Sequence, residues 1–475
     1  MGFGRRIGDT LRIPGRGTRR GLTVLVVLVV AGASGSAVAL TGPTLVQRLG
    51  LAQAEAASVT PSVPHAVLGP LRADAPTPTP AGLSEVLDEP ALDMPGRFAG
   101  VVVDPATGQE LWGHTPERAL APASTGKLLT ATAALLTLNP TDTLVTRVVA
   151  GPNPDTVVLV GGGDPTLTAL PEGEEGVYPS PSRISDLADE VRKAVPGRIR
   201  RVLVDTSRYA GPSFADSWVR SDIASGYIAP IEPVMLDGGR VDPHLQDGTR
   251  VEDPALAAGR ALAKALGADP DLVEKGTAAP GAKSLGTVGS APVAELVEHA
   301  LRTSDNVLAE ILAREVAVAR KGEPSFAGGA QETLAALAQA GFDPSGAVLV
   351  DGSGLSTQNR VPARLLGSLL AAVAAPAQGP LDQQFLRPIL TGLPVAGGAG
   401  TLDDRFARGG DAAAGRGVAR AKTGTLTGIS SLAGVVTDAD GRLLVFAFMS
   451  NGASAPVVRP RQDEMVALLS RCGCR

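Results

Sequence analysis

Residues Pro122 to Leu129 read "PASTGKLL", a serine and a lysine three apart at the head of the leucine- and alanine-rich run "TATAALLTL". Three readings compete for this stretch. A phosphate-binding loop needs a glycine five residues before Gly126 and a hydroxyl residue after Lys127, but the chain places Ala121 and Leu128 there. The backbone cradle and the magnesium-binding hydroxyl are both missing, which rules against nucleotide binding. A Ser or Thr ahead of an apolar periodic run also serves as a helix cap. The catalytic reading is that Ser124 and Lys127, at i and i+3, share one face of the first helical turn, where a helix N-terminus favours a deprotonating hydroxyl. That is the geometry of a serine nucleophile beside a lysine base. Ser124 is expected both to cap its helix and to be the nucleophile.

Composition bounds the rest. With 475 residues, 44% of them hydrophobic and 19% charged, the chain can bury cores for two or three domains. A net charge of −5 and an aromatic content of 3% argue against a nucleic-acid partner. His65, His114, His244 and His299 are scattered without companion ligands, so no metal or other cofactor is expected and each reads as a surface or capping histidine. Cys472 and Cys474 are the only cysteines; they either bond each other across one residue or lie in a frayed tail.

The N-terminus reads as an export signal. Before Gly21 stand Arg5, Arg6, Arg12, Arg16, Arg19 and Arg20 against Asp9, and the run from Gly21 to Val46 carries no charge. Ala37-Val38-Ala39 offers a cleavage site, while the run also suffices for a retained membrane anchor, which needs about 20 apolar residues. Either way the remainder works outside the membrane. Thr41 to Ala81 is proline-rich and reads as an extended spacer. Folded sequence begins near Leu83 with a short helix, then "RFAGVVVDPATGQELWGH" gives two strands around a turn. Beyond the Ser124 helix, "DTLVTRVVAGPNPDTVVLVGGGDP" and "RIRRVLVDTSRYAG" are short valine-rich strands, the mark of a separate strand-rich insertion. Gly161-Gly162-Gly163 lacks the third glycine of a dinucleotide fingerprint, since position 166 is Thr, and reads as a tight turn. Helices follow Asp253-Pro254 and Pro292, another spans "VLAEILAREVAVAR", and "SSLAGVVTDADGRLLVFAFMSNG" gives two apolar strands joined at Asp440-Gly441 before a final helix. Strands at both chain ends with helices between them imply one antiparallel sheet built from distant segments.

Two more signals give the serine–lysine pair its meaning. Ser304-Asp305-Asn306 stands between two helices, and Lys422-Thr423-Gly424-Thr425 enters a strand. Alone, the first is a helix junction and the second a strand start. In this order behind an export signal, the three are the set expected of penicillin-recognising serine enzymes.

With "VLVGGGDPTL", "DGSGLS" at Asp351 to Ser356, "LPVAGGAGTLDDR" from Leu393 and "AKTGTL" added, the sequence resembles the class C low-molecular-mass penicillin-binding proteins, which are D-alanyl-D-alanine carboxypeptidase/endopeptidases. The resemblance runs from about Leu83 to Ser470. It implies an α/β (α+β) penicillin-binding, transpeptidase-like fold with an antiparallel sheet flanked by helices, and the long interval from Lys127 to Ser304 matches the family's accessory insertion. The expected organisation is a signal peptide or signal anchor over 1–40, a linker over 41–82, the catalytic domain over 83–141 and 284–475, and the inserted domain or domains over 142–283.

The resemblance implies hydrolysis of the D-Ala-D-Ala or D-Ala-D-X bond of peptidoglycan stem peptides, with β-lactam antibiotics as covalent inhibitors. Ser124 would attack the carbonyl, and Lys127, kept neutral by the nearby charge of Lys422, would take its proton. Ser304 and Lys422 would pass a proton to the leaving nitrogen, and Asn306 would bond the substrate amide. Thr423 and Thr425 would bind the terminal carboxylate, with Gly424 between them, and the backbone N–H groups of Ser124 and Thr425 would hold the oxyanion. An acid five residues before a tyrosine in the insertion binds the third-residue amine in relatives; Asp222 and Tyr227 keep that spacing, and Leu355, Leu426 and Thr427 would line the same pocket. Thr357 stands where relatives often carry Arg, leaving the amine as the main charged handle. The alternatives are a serine β-lactamase, for which no Glu-x-x-Leu-Asn segment lies between Ser304 and Lys422, and a non-catalytic cell-wall-binding module, for which too many catalytic polar residues are present. A Ser-His-Asp esterase has no Gly-x-Ser-x-Gly elbow here.

Overall fold

Side chains alternate across a strand, so a strand that is apolar at every position must be covered on both faces. The computed structural model describes residues 74–376 and 383–475. The expected export signal and most of the proline-rich stretch lie outside the described residues. The described strands, in chain order, are β1 (Arg97–Asp104), β2 (Gln109–His114), β3 (Ala119–Leu120), β4 (Thr143–Ala150), β5 (Thr156–Val160), β6 (Arg201–Asp205), β7 (Glu274–Lys275), β8 (Ser284–Pro292), β9 (Val361–Pro362), β10 (Ala419–Leu426), β11 (Ile429–Thr437) and β12 (Leu443–Asn451).

The central sheet is antiparallel in the order β10-β11-β12-β1-β2, so the first strands of the folded chain pair with the last. β1 meets β12 in a register running from Arg97 opposite Asn451 to Val103 opposite Val445. Ala99, Val101 and Val103 of β1, with Val445, Ala447 and Met449 of β12, face one core, into which the helices Lys127–Thr137 and Ala363–Ala374 pack. Phe98, Val102, Phe446 and Phe448 face the other, under the helices Pro80–Leu92 and Ala455–Arg471. The first of these helices opens at Pro80, ahead of the expected Leu83, because Thr79 caps it with a side-chain bond from Gly82 N at 3.1 Å. Thr79 N also donates to Cys474 O at 2.7 Å, tying the start of the described chain to its end, where Cys472 and Cys474 are joined in a disulfide.

The insertion is a second five-stranded sheet, in the order β7-β6-β5-β4-β8. It is more than strands. β5 and β6 run parallel, which requires a crossover, and the helix Ile184–Ala194 supplies it. Ile184, Leu187 and Val191 of that helix and Ala258 and Leu262 of the helix Pro254–Leu266 share one core with Val157, Leu159, Val202 and Val204. β8 pairs with β4, Thr287 opposite Arg147, so the insertion's sheet runs on to Pro292 rather than ending at 283. A further cluster joins Trp218, Ile228 and Ile231 of the insertion to Leu296, Leu308 and Ile311 of the helices beyond it. His299 belongs to this seam: it is buried beneath the Tyr178 ring, centroids 5.2 Å apart, and burial lowers its pKa to about 4, so it is a core residue rather than a surface one.

One side chain fixes the approach to the Ser124 turn. Asn451, at the end of β12, accepts from Ala121 N at 2.8 Å and donates to Ala121 O at 3.2 Å, as a neighbouring strand would. Asn451→Ala leaves both buried backbone groups unpaired and is expected to lower stability by about 2–4 kcal/mol, measured by urea unfolding against the wild type.

Candidate active site

The Ser124 turn is a 3-10 helix, Ala123–Gly126, which runs directly into the α-helix Lys127–Thr137. Ser124 does not cap that helix, contrary to expectation, because no side-chain cap bond forms there and its Oγ instead accepts from Lys127 Nζ at 3.0 Å. The turn is pinned by its neighbour: Thr125 Oγ1 donates to Pro122 O at 2.7 Å, and Ser431 Oγ of β11 donates to the same carbonyl at 2.5 Å.

Lys127 is 1% exposed. Besides Ser124, its Nζ reaches Asn306 Oδ1 at 2.6 Å and Ser353 O at 2.8 Å. An amine that has lost one proton keeps two N–H donors and gains a lone pair. The two acceptor-only atoms, Asn306 Oδ1 and Ser353 O, take the donors, which leaves the lone pair for the hydroxyl proton of Ser124. Burial lowers the Lys127 pKa to about 8, against the opposing pull of Glu310, Asp351 and Asp305. Burial thus does what the charge of Lys422 was expected to do. The repulsion between the lysines falls on Lys422, held well below its usual value by burial first and by Lys127 second.

Lys422 is fully buried, and its Nζ donates to Ser304 Oγ at 2.9 Å and to Thr423 O at 3.0 Å. Ser304 ends the helix Val293–Thr303 in the left-handed region, φ 63°, a conformation unfavourable for a residue with a Cβ unless its surroundings impose it. Asp305 imposes it. One carboxylate oxygen accepts from Leu308 N at 2.9 Å, capping the helix Asn306–Ala319. The other accepts from Tyr178 Oη at 2.9 Å and from Arg240 Nη2 at 3.0 Å, both contributed by the insertion, with the Asp305 and Arg240 side chains fully enclosed. Arg240 and Arg250 together hold the Asp305 carboxyl well below the usual range in spite of its burial. Asn306 completes the bridge, its Nδ2 donating to Tyr227 O at 2.9 Å.

Two glycines let the remaining walls close. A Cβ at Gly424 would lie 2.6 Å from Pro122 O and 3.1 Å from Ser124 N, and would also strike Ser431 Oγ. Gly354, at φ 80°, would drive a Cβ into Ala123 O. Edge strand β10 and the Asp351–Ser356 loop therefore lie directly against the Ser124 backbone. A cavity of about 720 Å³ opens above, lined by Ser124, Ser304, Asn306, Thr423 and Thr425, and also by Asp222, Tyr227, Leu355, Leu426 and Thr427. Lys127, Lys422 and Gly424 lie buried beneath its floor. All thirteen residues singled out from the sequence thus fall in or directly under one site. Asp222 is half-buried on the short helix Ser221–Ala224, and burial raises its carboxyl pKa.

Several participants were not singled out. Glu310, one turn beyond Asn306, accepts from Ser353 N at 2.7 Å and Gly352 N at 3.0 Å, and so fixes the loop whose Ser353 carbonyl holds Lys127. Burial and the neighbouring Asp351 push its carboxyl pKa up. Asp351 itself accepts from Trp218 Nε1 at 2.9 Å, Ser356 N at 2.6 Å and Asn359 Nδ2 at 2.7 Å. The sequence signal was present for Glu310: an acid within an apolar helical run, at i+4 from Asn306. Tyr178, Arg240 and Arg459, whose Nη2 donates to Thr425 Oγ1 at 2.8 Å, carry no local signal, whereas Thr401, whose Oγ1 meets Thr423 Oγ1 at 2.6 Å, falls within the "LPVAGGAGTLDDR" stretch.

The family model of D-Ala-D-Ala carboxypeptidase 3 (S13) matches residues 80–250 and 243–472. A carboxypeptidase of Mycobacterium tuberculosis is 46% identical over 413 residues, covering 85% of this chain and 87% of that protein. The carboxypeptidase DacB of Mycolicibacterium smegmatis is 45% identical over 433 residues, covering 88% and 91%. Among solved structures, penicillin-binding protein 4 of Haemophilus influenzae superposes with a TM-score of 0.64 at 20% identity, covering 81% of this chain and 98% of that one, which shows a shared fold.

The Lys127 surroundings generate a titration. Following its side-chain carbon resonance against pH should give an inflection near pH 8, with the neutral form above it. Glu310→Gln removes a buried carboxylate that favours the protonated form, so the inflection should move to lower pH. An unchanged or higher value would show that Glu310 does not act on Lys127.

Proposed function

The chain belongs to the D-Ala-D-Ala carboxypeptidase 3 (S13) family, and from that premise we propose how its residues hydrolyse the D-Ala-D-Ala bond. The enzyme is a serine-type D-Ala-D-Ala carboxypeptidase acting on peptidoglycan. The observation that carries the mechanism is the contact of Lys127 Nζ with Ser124 Oγ at 3.0 Å, from a buried lysine whose pKa lies near 8.

Neutral Lys127 takes the Ser124 proton as Oγ bonds to the carbonyl carbon of the penultimate D-alanine. The oxyanion turns to the backbone N–H groups of Ser124 and Thr425, each such donor contributing about 10²–10³ in rate. The C–N bond breaks, and the departing nitrogen takes the proton that Lys127 accepted, relayed through Lys422 and Ser304 Oγ, so that both lysines end the step as they began it. Water then cleaves the acyl-enzyme ester. Thr423 and Thr425 bind the terminal carboxylate. A β-lactam follows the same first step, but its departing nitrogen stays attached to the adduct.

The family's substrate places the enzyme on the cell-wall side of the membrane. The arginine-rich flank and apolar run before Thr41 supply its export signal, either cleaved or kept as an anchor. On the substrate's acyl side, Asp222 recognises an amine on the third residue of the stem peptide, with Tyr227, Leu355, Leu426 and Thr427 around it. A half-buried carboxylate facing an ammonium gains about 1.5–3 kcal/mol, and the burial that raises the Asp222 pKa is relieved by the arriving cation.

Benzylpenicillin should acylate Ser124 alone, with intact mass and peptide mapping placing the adduct on the "APASTGK" peptide. Full labelling of Ser124→Ala would overturn the assignment. Lys127→Arg keeps the charge but loses the titratable lone pair, and acylation should fall by at least about a hundredfold while folding survives.

Peptides ending in D-Ala-D-Ala, with the third-residue amine free or acetylated, test the side-chain pocket. The wild type should prefer the free amine about tenfold to a hundredfold, and Asp222→Asn should lose most of that preference. A preference unchanged in Asp222→Asn assigns it to another residue.

A further inference from the structure

Resting on the peptidoglycan substrate given above, we propose that a groove beside the active site is a second, non-catalytic peptide site, which holds an uncleaved stem peptide by its backbone and its free amine. The groove encloses about 690 Å³, within the range of small-ligand sites. One wall is the helix Phe326–Gln339, whose Phe326, Ala327, Ala330 and Leu334 recur along it at helical spacing. The extended stretch 347–350 and residues of the insertion between Gly211 and Ser217 supply most of the rest. The groove adjoins the catalytic cavity. Ser217 lines both, and Thr357 of the catalytic cavity is followed directly by Gln358 of the groove, so only a thin ridge separates them. Trp218 anchors that ridge through its Nε1 bond to Asp351 at 2.9 Å.

The lining says what the groove takes. Val348 exchanges both backbone bonds with Arg360, each at 2.7 Å. Backbone groups alternate in direction along a strand, so the N–H and C=O of Leu349 point to the other side, and among the described residues they have no partner. That is an open edge to which an extended peptide adds by main-chain pairing. The charged residues of the lining are Asp216 and Glu323, both acids and both exposed, and among the described residues no cationic side chain lines the groove. Neighbouring Arg360 is committed to the carbonyls of Thr357 and Asn359, both at 2.7 Å. Ala327, Ala330 and Ala347 leave room for alanine-sized side chains, and the carboxamides of Gln331 and Gln358 suit peptide groups. The occupant is therefore a peptide with small side chains and a free amine, whose own carboxylates are amidated rather than ionised. A stem peptide, with its alanines and its third-residue amine, has that character. Many stems belong to one polymer, so holding one beside the catalytic cavity raises the local concentration of the next.

The probe is N-acetyl-Ala-D-Gln-Lys amide, which lacks the D-Ala-D-Ala bond, titrated by calorimetry into the full chain after benzylpenicillin has closed the catalytic cavity. Saturable binding is expected, weakened by about twofold to fivefold when the lysine amine is acetylated. That difference should vanish when Asp216→Asn and Glu323→Gln are combined. Ala327 is exposed on the groove wall, so Ala327→Trp fills the groove without entering the core. It should abolish probe binding and lower the cleavage of polymeric peptidoglycan by about tenfold, while cleavage of a single acetylated D-Ala-D-Ala peptide and acylation of Ser124 keep their wild-type rates. Absence of binding to wild type, equal binding of both probes, or binding that survives Ala327→Trp overturns the proposal. A missing adduct on Ser124 counts against the catalytic assignment instead, and the comparison of wild type with Ala327→Trp, made on the unacylated chain, still decides the groove.

Discussion

The burial of Lys127 is the constraint on which the rest of the site depends. A cation taken out of water costs several kcal/mol unless it is partnered or sheds its proton. Lys127 is partnered by Ser124 Oγ, Asn306 Oδ1 and Ser353 O, three atoms from three separate parts of the chain. Those parts must therefore converge on one nitrogen. Gly354 and Gly424 permit the approach, because a side chain at either would collide with the backbone around Ser124. The helix bearing Lys127 adds a second tie, as Thr130 Oγ1 donates to Gly352 O at 2.6 Å. The resulting dry setting keeps the amine close to losing its proton at neutral pH, as a general base requires.

The insertion takes part in the same arrangement. Its Arg240 and Tyr178 meet Asp305 in full burial, where removing Asp305 would leave the Arg240 guanidinium without its counter-charge. That pair fixes the turn whose two flanking residues are Ser304 and Asn306. The same layer contributes Asp222 and Tyr227 to the cavity wall and the Tyr227 carbonyl to Asn306. A long stretch placed between the first two motifs thus holds the second in place and shapes the substrate groove.

Local sequence was enough wherever the determinant is local. Ser124 and Lys127 meet because residues three apart share a helical face, and the apolar strands at both chain ends imply a sheet covered on both sides. Ser304, Asn306 and Lys422 were legible because fixed residue types recur in a fixed order. Locally, however, the helix entry was misread: Ser124 turns to its lysine instead of to the backbone.

Tertiary structure decided what depends on distant neighbours. β8 belongs to the inserted sheet because it pairs with β4, more than a hundred residues earlier, a partnership no local pattern encodes. His299 became a core residue because the insertion folds Tyr178 over it. Lys127 and Lys422 owe their lowered pKa values first to burial, which belongs to the packed molecule and not to their spacing. Arg240 and Arg459 look like ordinary surface charges in the sequence, since a charge reveals its role only through what stands opposite it. The sequence alone therefore determined the chemistry and its order along the chain. The packing decided which charges face one another, because Coulomb and desolvation energies depend on distances that only the folded chain sets.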